Sequence, residues 1–195
     1  MSKKYFVDKD HAVMTDYYDF LDSDRNTPVK TEKKMMEFIK TDPAFLDPYL
    51  LLFEFYQNKK EVEKAREILE QAYQIAIKTI SDRKGSWPEE MLWGHLENRH
   101  IIRTLLNKAM NYWAHGETEP ALDLLRKLLR SNSRDNIGAR NYILAIRLGM
   151  SFEEFETQMA SEHGYDGNKM MEFEKKMKKF PDEFDWWFKA VNEAN

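Results

Sequence analysis

YLLLFEFYQNKKEVEKAREILEQA, running from Tyr49 to Ala72, decides the fold. Tyr49, Leu52, Phe53 and Tyr56 recur at three and four residues, which lays them along one side of a helix. A polar, charged stretch interrupts the pattern. It resumes at Ala65, Ile68, Leu69 and Ala72 and continues through Ile75, Ala76, Thr79 and Ile80. The segment is therefore a pair of helices joined by a short turn, and neither helix carries an evident catalytic group. No strand-like alternation of comparable length occurs elsewhere in the chain, so the expected class is all-α.

The bulk properties agree with a water-soluble helical protein. The chain has 195 residues, 33% of them charged, with a formal net charge of -4 and only seven glycines and six prolines. That length suits a single domain, expected over 1–195. Its expected parts are a helical lead-in at 1–30, a repeat core at 31–149 and capping helices at 150–195. Nothing approaches the roughly 18 unbroken apolar residues of a membrane span. The opening MSKKYFVDKD lacks the apolar core of a secretory signal, which implies a cytoplasmic protein. Absence of cysteine excludes disulfides, thiolate metal sites and a cysteine nucleophile. The negative balance supplies no general attraction for nucleic acid.

Tyr49-x2-Leu52-Phe53-x2-Tyr56 followed by Ala65-x3-Leu69-x2-Ala72 resembles the tetratricopeptide repeat, with Phe53 where that repeat prefers a small residue. The bulk of Phe53 predicts a wider helix crossing there. Met35 precedes Leu69, and Phe38 precedes Ala72, by the roughly 34 residues of that repeat, and Pro43 falls at its terminal proline. A second unit reads Ala109-x2-Tyr112-x3-Gly116-x4-Ala121-x3-Leu125-x2-Leu128, with Gly116 in the turn. About 22 residues are inserted between the units if the repeat keeps its usual period. The resemblance implies a tetratricopeptide-like α-α superhelix with an inserted helical segment and atypical C-terminal capping helices. Caps and periodicity predict helices near 10–22, 31–41, 48–58, 61–81, 88–115, 118–131, 136–149, 151–162, 168–179 and 182–193. Asp47-Pro48 reads as a cap with a first-turn proline, and Ser86 to Glu89 and Ser151 to Glu154 read as capping boxes.

A narrower likeness lies in WGHLENRHIIR, Trp93 to Arg103, and SRDNIGARNY, Ser133 to Tyr142. These are similar to motifs of a tetratricopeptide-like subgroup that includes the suppressor-of-tumorigenicity family. Trp93, Gly94, Glu97, Asn98, Arg99, Arg103, Asp135, Asn136, Gly138 and Arg140 fit; His100 stands where the motif has proline. The resemblance implies an interaction fold and supplies no reaction. Within these motifs Glu97 and Asp135 are expected to satisfy Arg103 and Arg140 as an internal ionic lock. The alternative leaves one arginine free to bind an acidic side chain or terminal carboxylate of a partner. Gly138 is expected to permit close helix approach, and Asp135 or Asn136 to cap the next helix.

The leading functional reading is a noncatalytic scaffold that binds a protein or peptide on the concave face of the array. By the resemblance that face includes Asp47, Leu50, Glu54, Asn58, Arg103, Asn107, Met110, Trp113 and Arg140. The alternatives are a homo-oligomerisation module and a small-molecule binder or enzyme centred on Glu97, Arg103 and Arg140. No catalytic residue, cofactor, metal, nucleic acid or membrane is expected. His95 and His100 stand some 140° apart around a helix, too far for a shared metal. His11, His115 and His163 read as caps or surface groups, whereas Met35, Met36, Met170, Met171 and Met177 read as core. Phe180, Phe184, Trp186, Trp187 and Phe188 read as a plug over the last face of the stack.

Overall fold

Each apolar stripe becomes one helix in the computed structural model, which describes residues 5–23, 28–162 and 164–193. The helices are α1 (Val13–Leu21), α2 (Pro28–Thr41), α3 (Asp47–Asn58), α4 (Val62–Ile80), α5 (Arg99–Ala114), α6 (Thr118–Ser131), α7 (Ala139–Arg147), α8 (Phe152–Met159), α9 (Gly167–Glu174) and α10 (Pro181–Glu193). Single 3₁₀ stretches at Leu96–Asn98 and Lys175–Lys179 precede α5 and follow α9. The chain is thus mostly helical. Two exposed two-residue strands, Ala160–Ser161 and Gly164–Tyr165, form a small antiparallel pair after α8, so the helix expected to reach residue 162 stops at Met159. Among the described residues no helix is long and apolar enough to cross a membrane.

The structure resolves into two compact units, one ending at Lys108 and one beginning at Ala109, with the boundary inside α5. In the first, α3 packs along α2 and α4. Its core contains Val13, Tyr17, Met35, Phe38, Phe45, Leu52, Phe53, Tyr56, Ala65 and Leu69. In the second, α6 packs along α7. There Ala121, Leu125 and Leu128 are fully buried, as are Ile143 and Leu144 of α7 and Phe155 of α8.

Three interhelix turns share one geometry. After α3, Lys60 N–H donates to the Gln57 carbonyl and Glu61 N–H to that of Tyr56; after α5, Gly116 and Glu117 do the same to Trp113 and Tyr112. After α7, Gly149 and Met150 repeat it with Ile146 and Ala145. Each closes the helix with a left-handed residue, at φ 60° for Lys60, 77° for Gly116 and 75° for Gly149. Lysine pays for that conformation with backbone strain that glycine avoids.

Several local expectations change. The helix expected from residue 88 begins only at Arg99, because the preceding backbone is engaged elsewhere: Asp82 Oδ1 accepts from Ser86 N–H, and Glu90 O accepts from Phe6 N–H. Ser86 therefore caps no helix, whereas Ser151 and Glu154 form the expected reciprocal box. Gly138 adopts φ 71°, and a Cβ there would approach only Asn141, at 3.9 Å, so its role is the turn rather than close helix approach. Met35 and Met177 are buried as expected; Met36 and Met171 are exposed.

Candidate functional site

The start of α5 gathers more polar chemistry than any other part of the first unit. Asn98 is wholly buried, and its side chain acts as a hub. Its Oδ1 accepts from Asp8 N–H at 2.9 Å, while Nδ2 donates to the carbonyls of Phe6 and Leu92, each at 3.1 Å. These bonds satisfy backbone groups that a loop would otherwise bury unpaired. They also fix the segment before α1, and the turn carrying Trp93, against the first residues of α5.

Arg99 and Arg103 follow at helical spacing, and both guanidinium groups approach the Trp93 ring, at 5.1 and 5.8 Å from its centroid. Their circumstances differ. Arg103 grips Asp47 with two bonds, Nε to Oδ1 at 3.0 Å and Nη2 to Oδ2 at 2.5 Å, and Nη2 also donates to the Tyr18 hydroxyl at 2.9 Å. Tyr18 in turn donates to Asp47 Oδ2 at 2.8 Å. Burial opposes the Arg103 charge, but the Asp47 carboxylate outweighs it and raises the arginine's affinity for its proton. Asp47 is buried and makes no cap bond, so the acid expected to start α3 serves as a counter-ion instead.

Arg99 spends only Nε–H, on the Trp93 carbonyl at 3.0 Å. Among the described residues no carboxylate pairs with its terminal nitrogens. Glu97, expected beside these arginines on a long helix, lies in the 3₁₀ turn and forms no ion pair with Arg99 or Arg103. The internal lock therefore has Asp47 where Glu97 was expected, and the arginine it leaves over is Arg99.

Beneath this surface lies a buried group that sequence reading missed. His11 is 4% exposed and His100 1%, so His11 is neither a cap nor a surface residue. His11 Nδ1 lies 2.7 Å from Asp42 Oδ2 and Nε2 3.1 Å from Asp8 Oδ2, while His100 Nε2 lies 3.0 Å from the same Asp8 oxygen. The three nearest ligand-type atoms of Asp8, His11 and His100 fall within 4.8 Å of one another, a spacing that invites comparison with a metal centre. The tautomer of His100 argues against one. Its Nδ1 accepts the Leu46 N–H at 3.1 Å and so carries the lone pair, which leaves the hydrogen of the neutral ring on Nε2, where a metal would need to bind.

In the second unit Asp135 caps α7 as expected, accepting from the N–H groups of Ala139 and Arg140 at 2.7 and 3.1 Å. Arg140 answers it at 2.8 Å, pairs with Glu174 at 2.6 Å and stacks over Trp187 at 5.2 Å. Glu183 similarly receives Arg126 through two bonds and Arg147 through one. Phe184 is fully buried, and Trp187 donates to the Ser133 carbonyl at 2.8 Å, whereas Phe188 is exposed.

Of the other residues expected to meet a partner, Glu54 and Asn58 are exposed on α3, and Leu50 packs half-buried on the core of the first unit. Asn107 bonds back to the Arg103 carbonyl at 3.0 Å. Met110 is half-buried. Trp113 is 2% exposed, with its indole N–H on the Met150 carbonyl, so it belongs to the interior of the second unit. No family model, curated protein or solved structure matches the chain.

Proposed function

We propose that the chain is a noncatalytic protein-interaction module of the tetratricopeptide-like kind, and that it grips an acidic side chain or terminal carboxylate of a partner peptide at Arg99. The observation that carries this reading is the asymmetry between two neighbouring arginines. Arg103 has its charge matched by the Asp47 carboxylate, whereas Arg99 has no carboxylate partner among the described residues and presents its terminal N–H groups beside an indole ring. A guanidinium fork held by one internal bond, and backed by an aromatic face, is preorganised for a carboxylate. Leu50, Glu54, Asn58 and Asn107 of the same unit are the proposed flanking contacts. The repeat itself is supported by the three matching turns at Lys60, Gly116 and Gly149.

Arg99→Ala is expected to weaken binding of a glutamate-rich peptide by roughly 10- to 150-fold, since hydrogen bonds to charged groups contribute about 1.5–3 kcal/mol. Stability should change by no more than about 0.5 kcal/mol, because the side chain leaves no carboxylate stranded. Fluorescence anisotropy with the labelled peptide, beside a thermal melt, checks both. Equal affinity of wild type and variant would remove Arg99 from the site. Light scattering over the same concentrations tests self-association, which would appear as a rising mass without peptide.

A further inference from the structure

His11 makes two contacts that fix its protonation. Its ring is wholly shielded from water, with Asp42 Oδ2 2.7 Å from Nδ1 and Asp8 Oδ2 3.1 Å from Nε2. An ionised carboxylate can only accept, so both ring nitrogens must donate and His11 is an imidazolium. His100 is the neutral counterpart: it takes a hydrogen bond from Leu46 and gives one to Asp8. The Phe45 ring packs against both imidazoles, at 5.4 and 5.3 Å, and excludes competing solvent from them.

The groups facing His11 come from three directions. Asp8 belongs to the segment before α1, Asp42 follows α2, and His100 stands on α5. The Lys9 charge also favours the Asp42 carboxylate, and that carboxylate, after burial, in turn holds the Tyr49 phenol protonated. The Nδ1 bond to Asp42 joins the segment before α1 to the residue after α2, while the Nε2 bond to Asp8 lies within that segment; among the described residues only the doubly protonated ring serves both carboxylates at once.

We propose that this network is a pH-operated clasp: the doubly protonated His11 ring fastens the segment Tyr5–Ala12 to the end of α2, and loss of one ring proton to solvent loosens that segment, which Asn98, Glu90 and His100 still tether. Without that proton a nitrogen lone pair faces a buried carboxylate oxygen, and attraction becomes repulsion. Burial opposes the charge on His11, but the hydrogen bonds and charges of Asp8 and Asp42 outweigh it and hold the imidazolium above its ordinary value of 6.5. Its stabilisation is therefore complete below 6.5 and fades as pH rises through the raised value. Burial likewise opposes ionisation of Asp8 and Asp42, yet their histidine partners hold both carboxyls below the ordinary 3.8, so the acid side of the clasp survives to lower pH than an isolated aspartate would. The clasp is shut in mild acid and opens toward alkali.

Long-range ¹H–¹⁵N spectra of the wild-type chain, recorded from mild acid to alkali, report each ring nitrogen directly. Both His11 nitrogens should be protonated at pH 6.5, and His100 should carry hydrogen on Nε2 alone. Amide exchange of Phe6 and Asp8, whose N–H groups bond to Glu90 and Asn98, should accelerate by about tenfold or more beyond the intrinsic base catalysis as His11 titrates. Asp42→Asn should move the titration and the loosening together to lower pH; should that variant fail to fold, the paired wild-type readings still decide. Zn²⁺ should leave the His100 Nε2 proton in place. A neutral His11 at pH 6.5, protection that persists through its titration, or displacement of that proton by Zn²⁺ would each overturn the clasp.

Discussion

Arg103→Ala is expected to destabilise the protein by about 3 kcal/mol, because it strands the buried Asp47 carboxylate. Asp47 has its side chain 5% exposed, and three of its contacts converge in one place: Arg103 Nε, Arg103 Nη2 and the Tyr18 hydroxyl. Removing the guanidinium also costs Tyr18 the donor to its oxygen, which leaves the phenol as the sole remaining side-chain partner of the acid among the described residues. The arginine is one-third exposed, so water reaches part of the vacated space and holds the loss below that of a fully enclosed pair. For a chain of this length about 3 kcal/mol corresponds to roughly 6–12 °C in melting temperature. Arg103→Lys keeps the charge and loses the fork, and should fall between wild type and alanine. Urea titration of the three proteins checks the order; a loss under about 1 kcal/mol for alanine would reduce this pair to an ordinary surface bridge.

Phe155→Ala should be at least as damaging, at about 3–5 kcal/mol. Phe155 is 0% exposed on α8, and its ring lies 5.5–5.7 Å from those of Trp113, Tyr142, Tyr165 and Phe173. Four other parts of the second unit therefore meet on this one side chain: the end of α5, α7, the strand Gly164–Tyr165, and α9. Truncation forfeits the burial of the ring and opens a void that four bulky neighbours cannot close together. Phe155→Leu keeps most of the volume and should cost about 1.5 kcal/mol. Denaturant unfolding followed by tryptophan emission reads both, since Trp113 borders the void. A Phe155→Ala protein within about 1 kcal/mol of wild type would mean that this cluster does not organise the unit.

The helices were legible because their signals are local. Periodic stripes set α3, α4 and α6, Gly116 set one turn, and Ser151 with Glu154 set the start of α8 to the residue. Residues 88–98 misled because Pro88 and a serine three residues before a glutamate imitate a helix start, while the forces that override it come from Phe6 and Asn98. Polar pairing was less legible for the same reason. Asp135 and Arg140 lie five residues apart and could be matched by eye, whereas Arg103 finds Asp47 fifty-six residues upstream, and His100 finds Asp8 ninety-two residues upstream. One hint for His100 was available: it shares the buried side of α5 with Ile101, Thr104 and Leu105, where an unpartnered imidazole would be costly. His11 carried no such stripe. It read as a cap or surface group, and only the fold turns it and Asp8 inward.

Arginine side-chain NMR during titration with a glutamate-rich peptide tests the proposed binding site most directly. The account predicts saturable shifts of the Arg99 Nε–Hε and Trp93 indole resonances, while Arg126, Arg140 and Arg147, each already paired with carboxylates, stay fixed. Saturable shifts at Arg126, Arg140 or Arg147 with Arg99 unmoved, or no shift at any arginine, would contradict it.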